Sequence, residues 1–272
     1  MIARKGYMRE ARWYVSSTLF WGLPPERWFE LAGSHGLAGL EIWVQQLQSE
    51  GISPERIGRL REKSGLALTV HSFSWDLNLI SLSRPMRRMA AKLSKRAVDM
   101  AAQMAAQMGA DQVTVHPGRE GLLLPGVDFD AMQAEAAASI GQYGKKLGVS
   151  VSFEIMEKIP KERFTSAEAV LRMERCAKKG VCWGYTEDLA HCDTEEEVFR
   201  TAQVLSGRLK EFHVSNKKGK ARHVADVRGG DFDLPSITHQ LMEYELPMVL
   251  EGYDPSGQAE RFETTWKWLT EA

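Results

Sequence analysis

Short apolar, β-branched runs alternate with longer stretches of helical character, and the alternation repeats along the chain. Residues 66–70 (LALTV) form one such run and end on His71. Residues 113–115 form another and end on His116, with Pro117-Gly118 to break it. Between them, 84–108 has no Gly or Pro after Pro85 and is rich in Ala, Met, Leu, Lys and Arg. Strand, helix, strand is the reading. A right-handed crossover between parallel strands puts His71 and His116 at the same, carboxyl end of the sheet.

The same unit recurs before and after. Residues 13–19 predict a first strand, and Pro24-Pro25 opens a short helix over 26–32. Residues 37–44 (LAGLEIWV) predict a second strand with Glu41 near its end. Ser53-Pro54-Glu55 opens a helix to Lys63, and Gly65 closes it. A helix over 128–147 stops at Gly148, and strand five over 149–153 delivers Glu154. Thr165 opens a helix with 166–177 as its body and Gly180 at its end. A weaker sixth strand over 181–186 leads to Asp188 and His191, and Asp193-Thr194 caps a helix through Leu205. Strand seven over 209–212 delivers His213 and is followed by the polar loop SNKKGKARHVADVRGGD and a helix over 235–244. Strand eight over 247–250 delivers Glu251, and 259–270 is the last helix. Eight strand-plus-helix units predict an α/β fold, one (β/α)8 TIM barrel over 1–272, with its active site at the carboxyl ends of the strands. An open dinucleotide-binding sheet would carry a GxGxxG turn after its first strand, and the sequence has none.

Composition changes this picture only by exclusion. Lys plus Arg is 35 and Asp plus Glu is 36, a net charge of −1, which supplies no field for nucleic acid or an anionic membrane. No apolar run approaches the roughly 20 residues of a membrane helix. The N-terminus, MIARKGYMREARW, lacks the apolar core of a secretory signal. Cys176, Cys182 and Cys192 are odd in number and show no CxxC spacing, so they read as reduced thiols in a cytoplasmic protein. Oligomeric state is left open.

What terminates the strands carries the chemistry. Strands three to eight end on His71, His116, Glu154, Asp188 with His191, His213 and Glu251. Six successive ends drawn from His, Asp and Glu are hard to explain as polar caps, because a buried carboxylate costs several kcal/mol unless paired or coordinated. Mixed imidazole and carboxylate donors suit zinc, manganese, cobalt or iron better than magnesium or calcium. Cys192, beside His191, reads as a bystander. His35 and His239 read as surface residues. Trp21, Trp43, Phe73 and Trp75 fall near strands one to three, where aromatics stack on a sugar face or a base.

The motifs VHSFSWDLNL, VTVHPG, SFEIM, EDLAH, FHVSNKKGKARH and VLEGYDP resemble, in this order, the xylose-isomerase-like TIM-barrel superfamily. That superfamily contains sugar isomerases and epimerases and the endonuclease IV branch (AP endonuclease family 2). The resemblance implies one of two activities. In the epimerase-like branch one divalent metal is held by the residues matching Glu154, Asp188, His213 and Glu251. The two glutamates, as catalytic acid and base, move a proton on and off the carbon next to a carbonyl of a sugar, sugar phosphate or cyclitol.

In the endonuclease IV branch three zinc ions act on abasic DNA, the one route by which nucleic acid becomes a partner. One subsite matches His71, His116 and a bridging Glu154, and the second matches the four residues already named. The third matches His191, His223 and an aspartate two positions before it, where this chain has Ala221. Asp226 is a candidate replacement. Arg228 stands where a glycine is usual, and Ile155 follows Glu154 where that branch has Asn. These departures count against a three-metal phosphodiesterase and leave the one-metal reading intact. Glu41, Trp43 and Arg228 are the candidate substrate contacts, Arg228 as a phosphate binder. A metal-binding barrel without catalysis is the remaining expectation.

Overall fold

A computed structural model describes residues 12–105, 112–178 and 180–271. Eight parallel strands close into a barrel in chain order. They are β1 (Trp13–Ser16), β2 (Gly39–Trp43), β3 (Ala67–His71), β4 (Gln112–Val115), β5 (Ser150–Ile155), β6 (Gly184–Asp188), β7 (Leu209–Val214) and β8 (Met248–Leu250). β1 pairs with β8, Val15 against Leu250, and this completes the ring. The described helices are α1 (Pro25–Ser34), α2 (Val44–Ser49), α3 (Pro54–Ser64), α4 (Arg84–Ala105), α5 (Phe129–Leu147), α6 (Ala167–Arg175), α7 (Glu195–Leu205), α8 (Leu234–Leu241) and α9 (Glu260–Glu271). The expected end of α4 at Met108 and the N-terminal segment 1–11 lie outside the described residues.

The helix boundaries follow local chemistry. Ser53, Asp128, Ser166 and Thr194 each accept the backbone N–H three residues on, which satisfies an otherwise orphaned donor. Gly65 and Gly148 end α3 and α5 in the left-handed conformation that glycine adopts without a steric penalty. Several elements differ from expectation. β1 is shorter than expected, because Ser17–Phe20 turns into a 3-10 helix. Val44, expected as the last residue of the second strand, instead opens α2, a helix that the apolar pattern does not predict.

Alternation along the strands separates two interiors. Leu68 and Val70, Val151 and Phe153, and Phe212 and Val214 belong to the apolar core between barrel and helices. Their neighbours Thr69, Thr114, Ser152, Thr186 and Glu211 are at most 1% exposed and point into the barrel. The barrels of this fold are commonly filled with branched aliphatics. Here a hydrogen-bonded hydroxyl layer takes their place: Thr114 Oγ1 lies 2.9 Å from Thr186 Oγ1 and 3.2 Å from Ser152 Oγ, and the last two are 2.8 Å apart.

Candidate metal centre and active site

The carboxyl ends of β3 to β8 bring seven of the expected residues into contact, with His223 arriving from the loop after β7. On one side, Glu154 Oε2 meets His116 Nε2 at 2.9 Å and His71 Nε2 at 3.4 Å. In the centre, His213 Nδ1 lies 3.6 Å from Glu251 Oε2, 3.9 Å from Glu154 Oε1 and 4.0 Å from Asp188 Oδ2. On the other side, His191 and His223 face each other, Nε2 to Nε2, at 3.1 Å, and His223 Nδ1 is 3.9 Å from Asp188 Oδ2. Glu154 joins the first group to the second, and Asp188 joins the second to the third.

Backbone carbonyls orient the rings. His71 Nδ1–H donates to Ser72 O at 3.0 Å, and His191 Nδ1–H donates to Ile155 O at 2.8 Å. Each leaves its Nε2 turned to a neighbouring donor group, Glu154 for His71 and His223 for His191. Asp188 Oδ2, His213 Nδ1 and Glu251 Oε2 are buried and lack any hydrogen-bond partner. Three converging orphaned atoms of ligand type, with Glu154 beside them, fit a divalent cation. The described residues include three further potential donor sets: His71, His116 and Glu154; Asp188, His191 and His223; and Glu41, Glu211 and His213.

The electrostatics separate the two central glutamates. Burial pushes Glu154 up, but His116, His71 and His213 outweigh it and hold its carboxyl well below the usual range. Burial pushes Glu251 well above that range; His213 offsets part of this, and Asp188 and Glu154 add repulsion. Asp188 is also buried, yet His191 and His223 draw it down. Burial opposes charge on His213, but Glu41 and Glu251, with the hydrogen bonds of Glu211 and Glu41, hold its imidazolium well above the usual range.

The loop after β7 delivers His223 through a tight clamp. Asn216 Nδ2 donates to Val227 O at 2.8 Å and to Phe232 O at 3.0 Å, while its Oδ1 accepts from the N–H of Lys217 and of Phe232. Gly230 lies so close that a Cβ there would fall 2.1 Å from the Asn216 side chain. His223 itself holds a left-handed backbone with φ 50°, an uncommon conformation for a side-chain-bearing residue.

The expected substrate contacts divide. Trp43 stacks on His71 at 3.7 Å between ring centroids and borders the cleft. Glu41 does not stand at the rim: it is fully buried beneath the site, with Oε1 at 3.1 Å from His213 Nε2 and Oε2 accepting from Trp43 Nε1 at 3.0 Å. Arg228 is exposed and pairs with Asp226 at 2.8 Å, so Asp226 is turned to that guanidinium and belongs to none of the donor groups. Ala221 lies in a bridge with Lys218. His239 is exposed; His35 is half-buried, with its ring edge-on to Phe262 and Nδ1 at 2.9 Å from Leu31 O. Cys192 is buried, with its sulfur 3.7 Å from Glu187. Glu211, on the His213 ring, was missed, because a strand-interior glutamate two positions before a candidate ligand shows no facing in the sequence.

Above the donors opens a cleft of about 380 Å³ lined by Trp43, Trp75, His223, Glu251 and Tyr253. Trp21 stacks on Trp75 at 6.1 Å and meets Tyr253 edge-on, and Trp75 and Tyr253 are half exposed. Arg119 pairs with Glu162, Lys158 with Asp193 and Glu197, and Arg222 with Asp193, whereas Arg261, which lines the cleft, donates to the carbonyl of Tyr253. Among the described residues no helix is long and apolar enough to cross a membrane.

A search of curated proteins by sequence found no match. Solved structures share the fold. A D-tagatose 3-epimerase-like protein aligns with a TM-score of 0.75 at 16% identity, covering 96% of this chain and 98% of its own. The apo 3-keto-D-glucoside 4-epimerase of E. coli gives 0.73 at 15%, covering 96% and 100%. The D-psicose 3-epimerase of Clostridium cellulolyticum, solved with D-tagatose, gives 0.70 at 14%, covering 96% of each chain. The family model described as xylose isomerase-like TIM barrel matches residues 29–272, and the chain therefore belongs to that family.

Proposed function

We propose that this protein is a divalent-metal-dependent isomerase or epimerase that moves a proton at the carbon next to a carbonyl of a polyhydroxy substrate. The observation that carries the reading is the convergence of Asp188 Oδ2, His213 Nδ1 and Glu251 Oε2, buried and unpartnered, with Glu154 beneath an open cleft. Glu154, Asp188, His213 and Glu251 would hold the ion. A bound divalent ion supplies polarisation of the substrate's carbonyl and hydroxyl oxygens. Glu154 and Glu251, both close to His213 Nδ1 where the ion would sit, are suited as the acid and base pair that takes a proton from the carbon and returns it. Their strands lie three apart round the barrel, so the two carboxyls approach the substrate from different sides.

The aromatic mouth, with Arg119, Lys158, Arg222 and Arg228 each tied to a carboxylate, favours an uncharged sugar or cyclitol over a sugar phosphate. The three structures named above are, by their own descriptions, a ketose 3-epimerase, an epimerase-like protein and a ketoglucoside epimerase, which agrees with this class. The whole chain acts as one barrel domain in this reading, and its three free cysteines agree with a reducing, cytoplasmic setting.

The test is exchange. Protein loaded in turn with manganese, cobalt, zinc and iron is incubated with free ketoses and cyclitol ketones in D2O. Deuterium at the carbon next to the carbonyl is expected, and its absence across ions and substrates would sink the reading. A second reading has its own observation: three donor groups linked through Glu154 and Asp188, with Asp188 beside the His191–His223 pair where Ala221 supplies no ligand. It makes the protein an endonuclease IV-like zinc phosphodiesterase. Nicking of abasic duplex DNA by zinc-loaded protein, with intact DNA untouched, would favour it over proton transfer.

A further inference from the structure

His213 uses both ring nitrogens, and the one turned away from the cleft meets two carboxylates. Nε2 lies 3.1 Å from Glu41 Oε1 and 3.3 Å from Glu211 Oε1, and all three residues are fully buried. Carboxylate oxygens accept, so the ring proton belongs on Nε2, which leaves the Nδ1 lone pair for the cleft. Each carboxylate is itself held. Trp43 Nε1 donates to Glu41 Oε2 at 3.0 Å, and Thr114 Oγ1 donates to Glu211 Oε1 at 3.1 Å. Thr114 in turn is bonded to Ser152 and Thr186. The hydroxyl layer that replaces an aliphatic barrel filling thus runs, through Glu211, to the back of one imidazole.

We infer that Glu41 and Glu211 are paired positioning residues that fix the His213 ring with its Nε2 proton held between them, so that Nδ1 is presented as a metal ligand. This rests on the reading of His213 as a ligand. Two buried carboxylates on one N–H are expensive to bury, and the barrel spends four hydroxyl and indole partners on that region. Such placement is explained if the ring must stay in one tautomer and orientation and be a stronger donor toward a cation. Glu41 thereby has a role other than contact with substrate.

Two experiments test this. In the first, cobalt binding to the full chain is measured by chelator competition for the wild type and for Glu41→Gln, Glu211→Gln, Glu41→Leu and Glu211→Leu. The glutamine variants keep an acceptor and are expected to lose about tenfold in affinity, the leucine variants up to about 100-fold. Wild-type affinity in all four overturns the positioning role. A wild type that binds no cobalt overturns the ligand reading, and the inference with it, which separates the two failures. In the second, which needs no carboxylate variant, 15N–1H correlation spectra of zinc-loaded wild type report the His213 tautomer, its signals identified by their loss in His213→Gln. The expected pattern is a protonated Nε2 and an unprotonated Nδ1. The opposite tautomer overturns the inference.

Discussion

Asp188 and His213 are register partners on β6 and β7, and the atoms they aim at each other, Oδ2 and Nδ1, are 4.0 Å apart with no hydrogen-bond partner. That gap is too long for a hydrogen bond. It is close to the spacing of roughly 3.4 Å for two donors each about 2.1 Å from a shared tetrahedral ion. A register shift between Tyr185 and Thr186 places them opposite each other, a device often found beside active sites.

Glu251 should separate binding from chemistry. Glu251→Gln keeps an oxygen donor and removes one carboxyl of the acid and base pair. Turnover is expected to fall by about 10² to 10⁴, the usual weight of one general acid or base. Metal content should stay within a few-fold of wild type. Full turnover on a substrate that the wild type converts would refute the assignment.

The metal-free protein should be most stable in mild acid. His213, Glu251 and Glu187 all have folded values raised above their unfolded ones. For each, the folded state holds its proton more tightly, so that stabilisation is complete below the unfolded value and is lost as pH rises through the folded one. Glu154 and Asp188 are lowered, so their contributions hold above the unfolded carboxylate range and vanish only in stronger acid. Melting temperatures in chelator should therefore peak at about pH 5 to 6 and decline toward pH 8. Added zinc should stabilise more as pH rises, because the ligands must shed protons to bind it. A melting temperature in chelator that climbs steadily from pH 5 to 8 would contradict this.

Gly230 tests the clamp that delivers His223. Gly230→Ala places a methyl 2.1 Å from Asn216. Overpacking of this kind costs about 1 to 3 kcal/mol, so denaturant unfolding should show a loss in that range. Crystal structures or chemical shifts should show His223 displaced while the β-barrel is unchanged. An unperturbed midpoint would mean that the loop yields freely.

Arg228 separates neutral from phosphorylated substrates. It is exposed and tied to Asp226. Arg228→Ala should leave the unfolding midpoint unchanged and kcat/KM on an uncharged sugar within about twofold of wild type. A large loss confined to phosphorylated sugars would reinstate it as a phosphate contact.

How much of this was legible in the linear order differs by element. α5 and α7 were readable to within a residue, since Asp128, Gly148 and Thr194 act on backbone groups only a few positions away. The expected sixth strand over 181–186 was displaced to Gly184–Asp188, because pairing with β5 and β7 sets where a strand lies. α2 went unseen: VQQLQS is too short to show a helical period.

For the site, the residue ending each strand was readable, because period-two alternation and a right-handed crossover force those ends to one side of the sheet. Which interior they face was not. Glu41 and His213 stand 172 positions apart and meet because the barrel closes. The same closure turns Glu211 inward beneath that ring and leaves Arg228 outside with Asp226. Local spacing governs bonds along the chain. Burial, pairing and the choice between a ligand and its support arise between strands, and only the folded barrel brings those together.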